Sequence, residues 1–69
     1  MKLRIREIRK EYNYTQHKLA EYLNCHQSLY SKYENGEIRI PLKLVIKIAD
    51  FYDTSIDYLF GLTDEKKRH

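Results

Sequence analysis

Residues 15–36 read Thr-Gln-His-Lys-Leu-Ala-Glu-Tyr-Leu-Asn-Cys-His-Gln-Ser-Leu-Tyr-Ser-Lys-Tyr-Glu-Asn-Gly, and this stretch decides the fold. Apolar residues recur at helical spacing as far as Leu23, where Asn24 interrupts the pattern. A second helical run begins near His26 and stops at the Asn-Gly pair of residues 35–36. The stretch therefore predicts two short helices joined by a tight turn.

Single positions within this stretch support the prediction. Thr15 suits the N-cap of the first helix, because its hydroxyl can accept a bond from an early backbone N–H. Asn24 falls where the chain must leave that helix sharply, and asparagine tolerates the left-handed conformation. Cys25 and Tyr30 are expected to hold the second helix against the first. The outer face of the second helix then carries Gln27, Ser28, Leu29, Ser31 and Lys32.

The pattern resembles the helix-turn-helix of the Cro and repressor proteins of phages and bacteria, the XRE family. The segments in register are Thr15-Gln16, Leu19-Ala20, Gln27-Ser28, 31–36, Pro41, 48–50 and 55–59. The resemblance covers nearly the whole chain and implies an all-α, compact, five-helix domain like that of lambda repressor. Three positions depart from the family pattern. Asn24 stands where the family commonly has glycine. His26 stands where it commonly has a serine or threonine cap, and Lys18 stands where it commonly has glutamate. Because of the last two departures, we expect looser helix starts.

The resemblance also implies roles for individual residues. The base-reading positions would be Gln27, Ser28, Leu29, Ser31 and Lys32. Contacts to DNA phosphates would come from Gln16, the Tyr33 hydroxyl, the backbone near Asn35 and Gly36, and Arg39. A packed aromatic is the alternative for Tyr33. Arg9 would pair with Glu34 and tie the first helix of the chain to the end of the recognition helix.

The flanking segments predict three further helices. Residues 2–12 form a charged helix with one apolar stripe, and 42–52 is apolar around most of its circumference, so we expect it to be buried on more than one side. The last helix, 56–60, offers more apolar surface than a small core needs. Its residues either close the core or contact a second copy, and both interpretations stay open. The candidates for this dimer contact are Ile56, Leu59, Phe60 and Leu62.

Composition limits the class of protein. The chain has 69 residues and a net charge of +3, which allows one small domain and is compatible with a polyanionic partner without indicating one. We expect a single domain at 1–62, with its motif at 15–36, followed by a solvated tail at 63–69. Without an apolar run of membrane-spanning length or a signal-peptide core, the protein is expected to be soluble and cytoplasmic.

One cysteine cannot form an internal disulfide. A metal-binding or reactive Cys25 beside His26 is the sharper interpretation, but a structural zinc site usually needs four ligands, so a small apolar contact is favoured. No metal or other cofactor is expected. No glycine-rich phosphate loop, carboxylate pair or nucleophile with a partner histidine occurs, so we do not expect an enzyme.

The sequence therefore favours a DNA-binding transcriptional regulator, expected to be a repressor. Its partners would be double-stranded DNA with a near-palindromic operator and a second copy of the chain, with no membrane. The alternative is a protein-interaction module, such as an antitoxin or adaptor built on the same fold. The polar outer face of the second motif helix favours base recognition.

Overall fold

The computed structural model describes residues 3–68 and contains five helices in that range. They are α1 (Ile5–Glu11), α2 (Gln16–Leu23), α3 (Gln27–Asn35), α4 (Leu42–Tyr52) and α5 (Ile56–Leu59). No strand is present in the described part of the chain. The predicted all-α, five-helix fold is confirmed. None of the helices between residues 3 and 68 has the length and apolar character needed to span a membrane.

The turn between α2 and α3 has the predicted geometry. Asn24 adopts the left-handed conformation, with φ 58° and ψ 46°, and its N–H donates to the Glu21 carbonyl at 3.1 Å. The next N–H, of Cys25, donates to the Ala20 carbonyl at 3.0 Å. These bonds satisfy carbonyls at the end of α2 and turn the chain directly into α3. The side chain of His26, at the start of α3, makes no cap hydrogen bond.

Thr15 is the N-cap of α2, since its Oγ1 accepts a hydrogen bond from the Lys18 N–H at 3.1 Å. We expect Thr15→Ala to lower the free energy of unfolding by about 1 kcal/mol, the usual value of such a cap. Thr15→Ser is the control, because it keeps the accepting hydroxyl. Urea denaturation of the three proteins measures the difference. Equal stability of the alanine and serine variants would contradict the assigned cap.

The core lies where α1, α2, α3, α4 and α5 meet. Its fully buried side chains are Ile5, Ile8, Leu19, Tyr30, Ile48 and Leu59. Helix α2 packs on α3 and α4, and α4 also packs on α5. The hydroxyls of Tyr30 and Tyr52 are buried without a hydrogen-bond partner in the described part of the chain. Burial raises the pKa of both phenols, so they stay neutral in the folded protein at physiological pH.

Helix α4 is covered on one side only, and the prediction that it is buried on more than one side is wrong. Its buried residues are Val45, Ile48, Ala49 and Tyr52. Leu42 and Ile46, one helical turn apart, are 59% and 42% exposed. The other four helices are too short and too few to surround α4. Leu42 and Ile46 therefore form an apolar strip facing solvent, which we call the α4 stripe.

The segment after α5 is attached to the body of the domain. The Lys66 carbonyl accepts hydrogen bonds from the Ser55 N–H at 2.8 Å and from the Thr54 Oγ1 at 3.0 Å. The Lys66 ammonium pairs with Glu11 of α1, and Arg68 Nη2 lies 2.7 Å from Asp50 Oδ1 of α4. The described part of the tail, 63–68, thus crosses the N-terminal end of α5 and contacts α1 and α4.

Candidate nucleic-acid interface

Helix α3 has one buried face and one outward face. Tyr30, Tyr33 and Glu34 point into the protein, and the side chains of the opposite face follow from the helical repeat. Four of the five predicted base-reading residues share that outward face, namely Gln27, Ser28, Ser31 and Lys32; of these Ser31 is half-buried and the others are exposed. Leu29 lies at the edge of the face and packs partly against the core.

A buried ion pair fixes α3 to α1. Arg9 Nε donates to Glu34 Oε2 at 2.6 Å, and Arg9 Nη2 donates to Glu34 Oε1 at 3.2 Å. Gln16 Nε2, from the first residue of α2, donates to the same Oε1 at 3.1 Å. The Arg9 side chain is 11% exposed and the Glu34 side chain 0% exposed. One carboxylate therefore holds α1, α2 and α3 in a fixed relation.

The charges of this pair are stable near neutral pH. Burial by itself raises the pKa of the Glu34 carboxyl, but the hydrogen bond from Arg9, with smaller contributions from Tyr30 and Gln16, outweighs it, and the net pKa is lowered. The hydrogen bond to Glu34 raises the pKa of the Arg9 guanidinium. Both groups are consequently ionised at pH 7, and the pair makes a charge-assisted, two-bond contact.

The predicted phosphate contacts are not equally available. Arg39 and Asn35 are exposed, whereas Tyr33 is 9% exposed and Gln16 already donates its side-chain amide to Glu34. Gly36 adopts φ 76° and ends α3, and its N–H donates to carbonyls within the last turn of the helix. The expectation of a free backbone donor at Gly36 is therefore wrong, because a helix C-terminus uses its N–H groups internally.

Of two features at the starts of α2 and α3, the first was not anticipated from the sequence and the second was. The first turns of α2 and α3 contain no acidic residue, so the partial positive charge of each helix start is not neutralised. The first-turn N–H groups of α3 donate no hydrogen bond to the His26 side chain. The weak capping ability of histidine was the sequence signal for this, and N–H groups at a helix start suit phosphate oxygens.

The free cations of the interface lie on either side of the end of α3. Lys32 is on α3 and Arg39 is in the loop that follows it, and both are exposed. Within residues 3–68, neither forms an ion pair with an acidic side chain. Asn35 Nδ2 donates to Glu37 Oε2 at 3.2 Å, which keeps that nearby carboxylate occupied. Lys32 and Arg39 are thus available to an anionic partner.

The candidates for a dimer contact fall into two groups. Leu62 is 74% exposed, and Ile56 and Phe60 are half-buried. Leu59 is 0% exposed. The inclusion of Leu59 among the contact residues is therefore wrong, because its side chain is enclosed by the core and has no surface to offer a second copy.

Cys25 packs partly against the core, and burial raises the pKa of its thiol, which favours the unreactive neutral form. Residues 3–68 contain no grouping of three or more histidine, cysteine, aspartate or glutamate side chains that could hold a metal ion.

Two helices joined through a left-handed Asn24, with the polar face of the second turned outward, define a helix-turn-helix domain. A family model described as helix-turn-helix matches residues 5–59. The chain belongs to this family and is of the Cro and repressor type.

Related proteins carry names consistent with this family. The chain is 39% identical over 62 residues to the "Uncharacterized HTH-type transcriptional regulator YobD" of Bacillus subtilis, covering 90% of this chain and 55% of that protein. It is 38% identical over 69 residues to the "Cryptic phage CTXphi transcriptional repressor RstR" of Vibrio cholerae, covering 97% and 62%. An "Uncharacterized HTH-type transcriptional regulator" of Archaeoglobus fulgidus is 35% identical, with 96% and 94% covered.

A solved structure has the same fold. It is the "Crystal structure of transcriptional regulator from Listeria innocua", with a TM-score of 0.79 and 26% identity, covering 94% of this chain and 64% of that one. The chain spans only 55% of YobD and 62% of RstR. The comparison with those two proteins therefore concerns their helix-turn-helix part.

Proposed function

We propose that this protein is a sequence-specific, DNA-binding transcriptional regulator, acting as a repressor, that places α3 in the major groove. The observation that carries the proposal is the outward face of α3, where Gln27, Ser28, Ser31 and Lys32 lie together on a helix whose opposite face is buried. The major groove admits one α-helix and presents a distinct pattern of donors and acceptors for each base pair. The names of the related proteins support the same role.

Each side chain on this face has a chemical role. Gln27, at the start of α3, can make two hydrogen bonds to adenine, and Lys32 can donate to the acceptors of guanine. Ser28 and Ser31 can donate or accept. Leu29 is left with a peripheral role, such as contact with a thymine methyl, because much of its side chain packs inward.

The phosphate contacts rest mainly on side chains at the ends of the motif helices. Arg39 is the principal candidate, and Asn35 and Gln16 can assist it. We do not propose phosphate contacts from Tyr33, whose ring is enclosed, or from Gly36, whose N–H is already hydrogen-bonded. These contacts orient the domain on the duplex without reading its sequence.

A second copy of the chain completes the proposal. A single helix-turn-helix domain makes too few contacts to select one operator, and a two-fold dimer reads two half-sites about 34 Å apart. The operator would accordingly be near-palindromic. Because a regulator of this kind acts on DNA, we propose that the protein is located in the cytoplasm. We propose no catalytic role for it.

The test is selection of binding sites from random duplex DNA, followed by titration of the selected site at two salt concentrations. We expect a two-fold symmetric site bound at least about 1,000-fold more tightly than random DNA, the lower end for specific regulators. Weak binding that falls steeply with salt and ignores sequence would contradict the proposal, because charge alone produces it. In that case a protein partner would become the first alternative.

A further inference from the structure

An open groove with a volume of about 500 Å³ lies beside the C-terminal end of α3. Its walls come from Leu3, Tyr33, Phe60 and five residues between the end of α3 and the start of α4, namely Gly36, Ile38, Arg39, Ile40 and Leu42. Leu42 belongs both to this groove and to the α4 stripe, so the apolar surface continues along α4 as far as Ile46. Ile38, in the loop before α4, adds another apolar side chain, 42% exposed. The surface thus combines a hollow with protruding apolar residues.

We infer that the groove and the α4 stripe together form the contact surface for a second copy of this chain. The inference rests on the proposed function, which requires a dimer, and it assigns the dimer contact to one surface. The sequence pointed to the end of α5 alone. The contact surface inferred here lies on the loop after α3 and the outer side of α4, and the end of α5 contributes Phe60.

The position of the groove fits the spacing of two half-sites. Recognition helices about 34 Å apart place the middle of each α3 about 17 Å from the two-fold axis. Helix α3 has nine residues and is about 13 Å long, so about 10 Å remains beyond its end, roughly the diameter of one helix. With the C-terminal end of α3 directed at the axis, the loop after α3 and the start of α4 would fill that space. Contact through this edge therefore brings both recognition helices to adjacent turns of DNA.

The surface is also complementary to itself. In a two-fold contact the same patch is used twice, so a hollow on one copy must receive a protrusion from the other. The groove supplies the hollow and the α4 stripe the protrusion. Charges of both signs border the patch as well, because exposed Glu37 lies between groove residues, Arg39 lines the groove and exposed Lys43 follows Leu42.

A second exposed apolar surface is the aromatic cluster of Tyr12, Tyr14, Tyr22 and Phe51. The three tyrosines are 46%, 38% and 40% exposed, and the rings pack against aromatic neighbours. The Tyr22 and Phe51 ring centroids are 4.7 Å apart, and those of Tyr14 and Phe51 are 5.1 Å apart. None of these rings lines the groove beside α3. The partly exposed rings of the cluster provide a control position for mutagenesis.

The size of the domain indicates how strong the dimer is. A standard interface takes about 800 Å² from each partner, which is roughly one sixth of the total surface of 4704 Å². The domain measures 31 × 23 × 20 Å, so one edge supplies less than that. The dimer is therefore weak in solution, and adjacent half-sites on DNA strengthen it by raising the effective concentration.

The experiment compares the wild-type chain with Leu42→Gln/Ile46→Gln and with Tyr22→Gln. All three proteins have the same net charge, and Tyr22 is 40% exposed, close to the 42% of Ile46. Sedimentation equilibrium measures dimerisation, and circular dichroism checks that each variant is folded. Titrations use one DNA with two half-sites and one with a single half-site. Ile46→Val serves as a conservative variant in the same assays.

We expect the double variant to dimerise at least about tenfold more weakly and to lose a similar factor on the two-half-site DNA, with unchanged affinity for one half-site. Tyr22→Gln and Ile46→Val should behave like the wild type. Wild-type dimerisation by the double variant, equal weakening by Tyr22→Gln, or a wild-type chain that stays monomeric on both DNAs would overturn the inference. If no protein bound either DNA, the proposed function would fail, while sedimentation would still decide the surface.

Discussion

Replacing Arg9 with alanine is expected to lower the free energy of unfolding by about 3 kcal/mol at pH 7. The Arg9→Ala chain would retain the fully buried Glu34 carboxylate without its counter-charge, and breaking a buried pair from one side usually costs about 3–5 kcal/mol. A domain of this length has a total stability of about 3–10 kcal/mol. The variant is thus expected to be largely unfolded at elevated temperature, as thermal denaturation followed by circular dichroism will show.

The loss of folding stability in Arg9→Ala should depend on pH. In the wild type the pKa of Glu34 is lowered from its ordinary value of 4.5, so the stability that the pair contributes is complete above that value and is lost as pH falls through the lowered pKa. In the variant, burial without Arg9 favours the neutral carboxyl. The difference between the two proteins should therefore be largest at pH 7, begin to shrink as pH falls through the raised pKa of the variant, and shrink further as pH falls through the lowered pKa of the wild type.

The control is Arg6→Ala, which removes one exposed arginine from the same helix. It should change the free energy of unfolding by less than about 0.5 kcal/mol, as surface substitutions usually do. A cycle of Arg9→Ala, Glu34→Ala and the double variant isolates the coupling. If Arg9 and Glu34 were not coupled, or if Arg6→Ala cost as much as Arg9→Ala, the role assigned to the pair would be wrong.

Gln27→Ala and Arg39→Ala are expected to weaken DNA binding in two different ways. Loss of a two-bond base contact at Gln27 should cost about 1–3 kcal/mol and relax the preference at one position of the operator. Loss of Arg39 should weaken all sequences about equally and reduce the slope of log affinity against log salt by about 1. Titrations of the selected site, of single-base variants and of random DNA at several salt concentrations distinguish the two effects.

The matched control for Arg39→Ala is Lys67→Ala, which removes the same charge from the exposed tail. It should leave the salt slope close to that of the wild type. Should Gln27→Ala and Arg39→Ala weaken every sequence by the same factor, α3 would not be distinguishing bases through Gln27. A salt slope equally reduced by Lys67→Ala would mean that net charge, rather than a contact at Arg39, governs the effect.

Local signals in the sequence predicted the motif well. The cap at Thr15 and the left-handed turn at Asn24 are properties of single residues and their nearest neighbours, which is why the sequence alone predicts them. The Arg9–Glu34 contact joins residues 25 positions apart. It was expected only from the family resemblance, because charge and spacing alone do not select this partner for Arg9.

Features that depend on how neighbouring helices pack were not predictable from the sequence. Periodicity shows that α4 has apolar side chains at Leu42 and Ile46, but not that no other helix lies against them. The tail is fixed largely by main-chain acceptors such as the Lys66 carbonyl, and such bonds have no sequence signature. The availability of the Gly36 N–H likewise follows from where α3 ends, a boundary that sequence patterns locate only to within a few residues.

The ion pairs of the tail bear on how fast the protein finds DNA. Lys66 and Arg68 neutralise Glu11 and Asp50 on the body of the domain. If the tail were absent, both carboxylates would repel the approaching polyanion. Long-range attraction acts on the rate of encounter more than on the lifetime of the complex. Asp64 of the tail pairs in turn with Arg4, so residues 63–68, with three basic and two acidic side chains, add one net positive charge to the field that DNA meets, although none of them belongs to the surface proposed to touch the bases.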